Sequence, residues 1–132
     1  MKIDIWTDGS DYKNNTGPAG WACVLECGNL RKELSGSIPH QTNNVAELVA
    51  AIMALKAVKG TGHDITVYTD SQYVQKAIHG IRKPKANFHL LAEITRLIFK
   101  HKVTAIWIRG HSGEVNNARC DYLANEARKN DA

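Results

Sequence analysis

Apolar residues recur at Val45, Leu48, Val49, Ile52 and Leu55, the i, i+3, i+4, i+7 spacing of a long helix, with β-prone segments before and after it. Helical crossovers add parallel strands to a sheet, and they do so with right-handed connections. Ahead of the helix, Lys2 to Thr7 alternates as a strand does. Trp21 to Glu26 and Leu30 to Gly36 are two more strands, joined by a hairpin turn at Gly28-Asn29. After it come a strand over Ile65 to Thr69, a short helix over Gln72 to His79, and a basic loop containing Pro84. Phe88 to His101 is a helix with Leu90, Leu91, Ile94, Leu97 and Ile98 inward. Val103 to Ile108 is a fifth strand and Asn117 to Lys129 a last helix. The order βββαβααβα predicts an α/β fold: a five-stranded mixed sheet, antiparallel at its start and parallel afterwards, flanked by helices. With no linker, repeat or low-complexity tract, residues 1–132 form one expected domain.

Several classes are excluded. No run of 18 apolar residues occurs, so no membrane helix is expected. The start Met1-Lys2-Ile3-Asp4-Ile5-Trp6 enters a strand directly and has no signal-peptide pattern, which points to the cytoplasm. Cys23, Cys27 and Cys120 are odd in number and form no Cys-x-x-Cys pair, so buried reduced thiols are expected and zinc is not. Trp6, Trp21 and Trp107 are assigned to the core. Charge is unevenly spread. Ser71 to Gly113 holds eight bases (Lys76, Arg82, Lys83, Lys85, Arg96, Lys100, Lys102, Arg109) and one acid, Glu93, whereas acids outnumber bases elsewhere. Such asymmetry suits a polyanion such as nucleic acid, or equally a solvated basic face.

One internal echo carries chemistry. Ile5-Trp6-Thr7-Asp8-Gly9-Ser10 and Val67-Tyr68-Thr69-Asp70-Ser71-Gln72 both read apolar, aromatic, Thr, Asp, small. Each Asp is placed where a strand gives way to a turn. If the strands are parallel neighbours, their ends lie ~4.8 Å apart at the carboxyl edge of the sheet, where ligands of open α/β folds bind. Alone, Asp8-Gly9 would pass for a turn pair, and Asp70 or Ser71 for a helix cap. Glu47 lies in a helix whose only other charge is Lys56, so it needs a partner where it is buried. Two partners suit it: a capping box over Asn44-Val45-Ala46-Glu47, or a divalent cation. Asp121 follows Asn116-Asn117 in the last helix, where the helix dipole alone would account for an acid. His111 stands in the glycine-flanked loop Gly110-His111-Ser112-Gly113, as a solvated surface residue or as a mobile proton carrier. Hard oxygen donors without clustered His or Cys select Mg²⁺ or Mn²⁺. Four acids beside a basic flank suggest two-metal phosphodiester chemistry.

Five motifs in this order resemble the ribonuclease H type 1 family over nearly the whole chain. They are Thr-Asp-Gly-Ser at 7–10, Thr-Asn-Asn-x-x-Glu-Leu at 42–48, Thr-Asp-Ser-Gln-Tyr-Val at 69–74, Gly-His-Ser-Gly at 110–113 and Arg-Cys-Asp-x-Leu-Ala at 119–124. The resemblance implies a ribonuclease H-like fold and endonucleolytic cleavage of the RNA strand of RNA/DNA hybrids, leaving 5′-phosphate and 3′-hydroxyl ends. It implies two Mg²⁺ ions, replaceable by Mn²⁺, on Asp8, Glu47, Asp70 and Asp121, with His111 aiding proton transfer or product release. It matches Thr42 and Asn43, with Asn15, to a DNA-phosphate pocket, and Asn44 and Gln72 to minor-groove contacts. The expected partner is therefore an RNA/DNA hybrid, bound by a monomer. Two departures stand out: Gly80 to His89 is too short for a basic insert found in many relatives, and the loop Asp11 to Pro18 is one residue longer. The competing readings are another nuclease or integrase on the same fold, a hybrid-binding module without catalysis, and the nuclease domain of a reverse transcriptase. The start at Met1 and the polar end Asn130-Asp131-Ala132 point instead to a free-standing protein.

Overall fold

In a computed structural model, which describes residues 1–11, 17–39, 42–80, 87–110 and 113–130, three strands run first: β1 (Lys2–Ser10), β2 (Ala19–Cys27) and β3 (Leu30–Ile38). Helix α1 (Asn43–Ala57), β4 (Asp64–Thr69), α2 (Gln72–Ile78), α3 (Phe88–Ile98), β5 (Lys102–Trp107) and α4 (Val115–Asn130) follow. The sheet order is β3-β2-β1-β4-β5. β2 pairs antiparallel with both β1 and β3, while β4 is parallel to β1 and to β5. The expected mixed sheet is present, with β1 in the middle.

Side-chain alternation sorts the sheet into two faces. Ile3 and Ile5 of β1, Cys23 and Leu25 of β2, and Ile65 and Val67 of β4 join Leu48, Leu55, Val74, Leu91, Ile94 and Leu97 in the main core, under α1, α2 and α3. On the other face Ala22 and Val24 meet Cys120 and Ala124 of α4. These small residues let α4 lie close: a Cβ at Gly20 would come within 1.9 Å of the Ala124 carbonyl oxygen. Cys23 and Cys120 are buried and unbridged, and Cys27 is half-buried. Burial pushes the Cys23 thiol up to about 12, so it stays protonated and inert.

Several boundaries depart from the sequence reading, each for a local reason. α1 is capped by Thr42, whose Oγ1 accepts from Val45 N at 3.3 Å. The capping box on Asn44 is therefore not formed, and Glu47 is left for another partner. α3 ends at Ile98 rather than His101, because Lys100 and His101 donate to carbonyls three residues back and the chain turns into β5. β1 runs on to Ser10: its parallel pairing with β4 ends at Thr7–Thr69, but its antiparallel pairing with β2 continues through Asp8–Ala22. Asp8-Gly9 is thus extended strand and not a turn. Of the tryptophans, Trp21 is buried and Trp6 half-buried, whereas Trp107 is 42% exposed. β5 is an edge strand, and Trp107 is its last residue, two positions beyond the buried Ala105 on the same face.

Candidate active site

At the carboxyl edge of β1 and β4 the structure brings Asp8, Glu47 and Asp70 together, with one carboxylate oxygen from each within 4.8 Å of the others. The placement follows from the fold. Thr7 and Thr69 are register partners, so the next residues, Asp8 and Asp70, leave the paired region side by side. Ser71 caps α2 by accepting from Val74 N at 3.1 Å, and its own N–H donates to Thr69 Oγ1 at 3.0 Å. These bonds fix the turn that carries Asp70. Trp107 Nε1 adds a hydrogen bond to the Asp70 carbonyl oxygen at 3.1 Å. Gly110 gives the carboxylate room, since a Cβ there would lie 2.9 Å from Asp70 Oδ2.

Glu47 reaches the group from α1. It is 3% exposed, and Oε1 accepts the Gly9 N–H at 3.0 Å. Its other oxygen, Oε2, is buried with no hydrogen-bond partner. Burial pushes the Glu47 carboxyl well above its ordinary range, and the charges of Asp8 and Asp70 push the same way. Burial also raises Asp8 to about 7; Glu47 and the Gly9 N–H pull it back, while Asp70 and Asp121 add repulsion. A protein cannot gain stability from like charges crowded this way. Oxygen donors facing one another at this spacing, one of them an unpartnered buried oxygen, have the hardness and the surplus negative charge that a divalent cation takes.

The trio forms one wall of an open cleft of about 450 Å³, also lined by Gly9, Asn43, Asn44, Ser71, Gln72, Tyr73 and Asp121. Of the residues expected from sequence, Asn43, Asn44, Gln72 and Asp121 therefore share the cleft, and Asp121 sits outside the tight carboxylate group. Thr42 adjoins it as the exposed cap of α1. Asn15 and His111 lie outside the described residues, as do Arg82, Lys83 and Lys85. Sequence reading missed three participants. Gly9 bonds Glu47 through its main chain, Tyr73 lines the cleft, and Trp107 holds the Asp70 turn. The pattern of β5 carries no signal for Trp107, since it lies two residues from Ala105 and so on the same face of the strand.

A mixed sheet carrying buried acids at its carboxyl edge, beside a cleft of neutral polar groups, defines an α/β enzyme site suited to a hard divalent cation. A family model described as RNase H matches residues 1–129. The ribonuclease H of Prosthecochloris aestuarii is 42% identical over 143 residues, covering 98% of this chain and 97% of that one. That of Nitratidesulfovibrio vulgaris (strain DP4) is 38% identical over 136 residues, covering 92% and 86%. Among solved structures, RNase H1 from the halophilic archaeon Halobacterium salinarum superposes with a TM-score of 0.82 at 28% identity, covering 98% of this chain and 99% of that one. LC11-RNase H1, solved in complex with an RNA/DNA hybrid, gives 0.77 at 30% identity and covers 97% of each chain. The chain belongs to the RNase H family, and it is an endoribonuclease of that family.

Proposed function

We propose that the protein cleaves the RNA strand of RNA/DNA hybrids by two-metal-ion catalysis, leaving 5′-phosphate and 3′-hydroxyl ends, with Asp8, Glu47, Asp70 and Asp121 holding the ions. The observation that carries this reading is the meeting of Asp8, Glu47 and Asp70 around the unpartnered Glu47 Oε2. Mg²⁺ fits the all-oxygen donor set, and Mn²⁺ is an acceptable substitute. Bound there, the ions would supply Lewis acidity toward the phosphate and ease ionisation of the attacking water. The chain's own contribution is placement: two strand ends and one buried helix hold three acids in fixed register before substrate arrives.

The rest of the cleft suits a hybrid. Asn43, Asn44 and Gln72 are neutral hydrogen-bonding groups on its wall, and RNA is distinguished from DNA by its 2′-hydroxyls and groove shape. Asn44 and Gln72 are assigned to the minor groove, and Thr42 and Asn43, with Asn15, to a phosphate of the DNA strand. His111 is assigned to proton transfer or product release. The solved complex of LC11-RNase H1 with a hybrid supports this substrate class. The test is cleavage of labelled RNA/DNA, RNA/RNA and DNA/DNA duplexes with Mg²⁺ or with EDTA. Only the RNA of the hybrid should be cut, and only with the cation present. Comparable cutting of duplex DNA, or full activity in EDTA, refutes the proposal.

A further inference from the structure

Asp121 is half-buried, lines the cleft, and stands on α4 without belonging to the tight carboxylate group. One turn further along, Asn125 donates through Nδ2 to the Asp121 carbonyl oxygen at 2.9 Å and to Asp121 Oδ1 at 3.3 Å. The opposite end of the amide is held as well. Asn125 Oδ1 accepts from the Ser10 hydroxyl at 2.6 Å and from Arg128 Nη2 at 3.1 Å, while Arg128 Nε donates to Ser10 Oγ at 3.1 Å. An amide has one acceptor end and one donor end. With two donors fixed on its oxygen, its NH₂ has to face Asp121.

The sheet makes this possible. Ser10 is the last residue of β1 and pairs with Gly20, the point where β2 lies against the Ala124 carbonyl of α4. Only that close approach brings a strand end within reach of Asn125, 115 residues away in sequence. The chemistry is also selective. A neutral amide orients a carboxylate without cancelling its charge, whereas a guanidinium in the same place would compete with a cation for it. Arg128 holds the acceptor end of the amide directly and through the Ser10 hydroxyl.

We propose that Asn125 is a positioning residue for Asp121, presenting its carboxylate toward the divalent-cation site, and that Ser10 and Arg128 set the direction of the amide. The inference rests on the reading of Asp121 as a cation-holding acid. Outer partners of metal ligands are typically worth about 10–100-fold in metal affinity or activity.

The experiment compares wild type, Asn125→Ala, Ser10→Ala and the double variant. Each is titrated with Mg²⁺, reading melting temperature without substrate and, separately, hybrid cleavage. Asn125→Ala should raise the Mg²⁺ midpoint about tenfold or more in both readings, with KM for hybrid at saturating Mg²⁺ within about twofold of wild type. Ser10→Ala should shift it less, and the double variant no further than Asn125→Ala alone, because both changes break one chain of bonds. A purely structural residue would lower the melts in EDTA and in Mg²⁺ equally and leave the midpoint unchanged; that result overturns the proposal. Should Asn125→Ala not fold, Ser10→Ala decides it: a raised midpoint supports the proposal and a wild-type midpoint overturns it. Wild type that is indifferent to Mg²⁺ would sink the cation site itself, and this inference with it.

Discussion

The main-chain N–H of Gly9 donates to Glu47 Oε1 across 3.0 Å, which joins the strand bearing Asp8 to the helix bearing Glu47 beside the carboxylates themselves. The contact needs a residue without a side chain. A Cβ at Gly9 would lie 2.5 Å from Glu47 N and 2.7 Å from the Ala46 carbonyl carbon, and backbone cannot yield as a flexible side chain would. Gly9→Ala should therefore cost about 1–3 kcal/mol, the usual range for overpacking. It should lower the urea midpoint at unchanged m and reduce hybrid cleavage as Glu47 shifts. Wild-type stability and activity in this variant would mean that α1 and β1 are not tightly docked.

Trp107→Phe should keep the ring and lose the hydrogen bond to the Asp70 carbonyl. A single hydrogen bond contributes about 0.5–1.5 kcal/mol net, so up to roughly a tenfold fall in kcat is expected. KM for hybrid should stay near wild type. An unchanged kcat would show that the Ser71 and Thr69 bonds hold the Asp70 turn without help.

Much of this arrangement was legible in the sequence because it is local or periodic. The repeated Thr-Asp at strand ends placed Asp8 and Asp70, and the nearly chargeless helix around Glu47 marked a buried acid. Local spacing also misled. Asn44 to Glu47 has capping-box spacing, yet Thr42 takes the cap and Glu47 turns to Gly9. Trp107 is expected in the core, yet it is the last residue of an edge strand and stays exposed although it shares a face with the buried Ala105. The Ser10–Asn125 bond had no sequence signature, since it depends on how closely α4 settles over Gly20.

The pH dependence of the metal-free protein follows from Asp8. Burial lifts its folded pKa to about 7, above the ordinary carboxyl value of 3.8. The folded state therefore binds more protons than the unfolded state between these values, and stability falls as pH rises. Its stabilising share is complete below about 4 and gone above about 7. Glu47, shifted in the same direction, should extend the decline upward. Melts in EDTA from pH 4 to 8 should show a downward component that shrinks in Asp8→Asn. Identical pH profiles for the two proteins would contradict the shift.

Arg82, Lys83 and Lys85 cluster in the sequence between α2 and α3. Phosphate neutralisation dominates nucleic-acid affinity and its salt dependence. Changing all three to Ala should raise KM for hybrid and flatten the salt slope, while kcat holds. A collapse of kcat at constant KM would assign the segment a catalytic part.

The central claim is that Asp8, Glu47 and Asp70 crowd like charges at this edge because a divalent cation binds there. Thermal melts of wild type and Asp8→Asn at pH 8, in EDTA and in Mg²⁺, test it most directly. Removing one charge while keeping its shape relieves repulsion, so Asp8→Asn should melt above wild type in EDTA. Wild type should gain stability with Mg²⁺, because the ion binds the folded site, and Asp8→Asn should gain less. An Asp8→Asn protein that melts below wild type in EDTA, beside a wild type unmoved by Mg²⁺, would make Asp8 a structural residue and contradict the account.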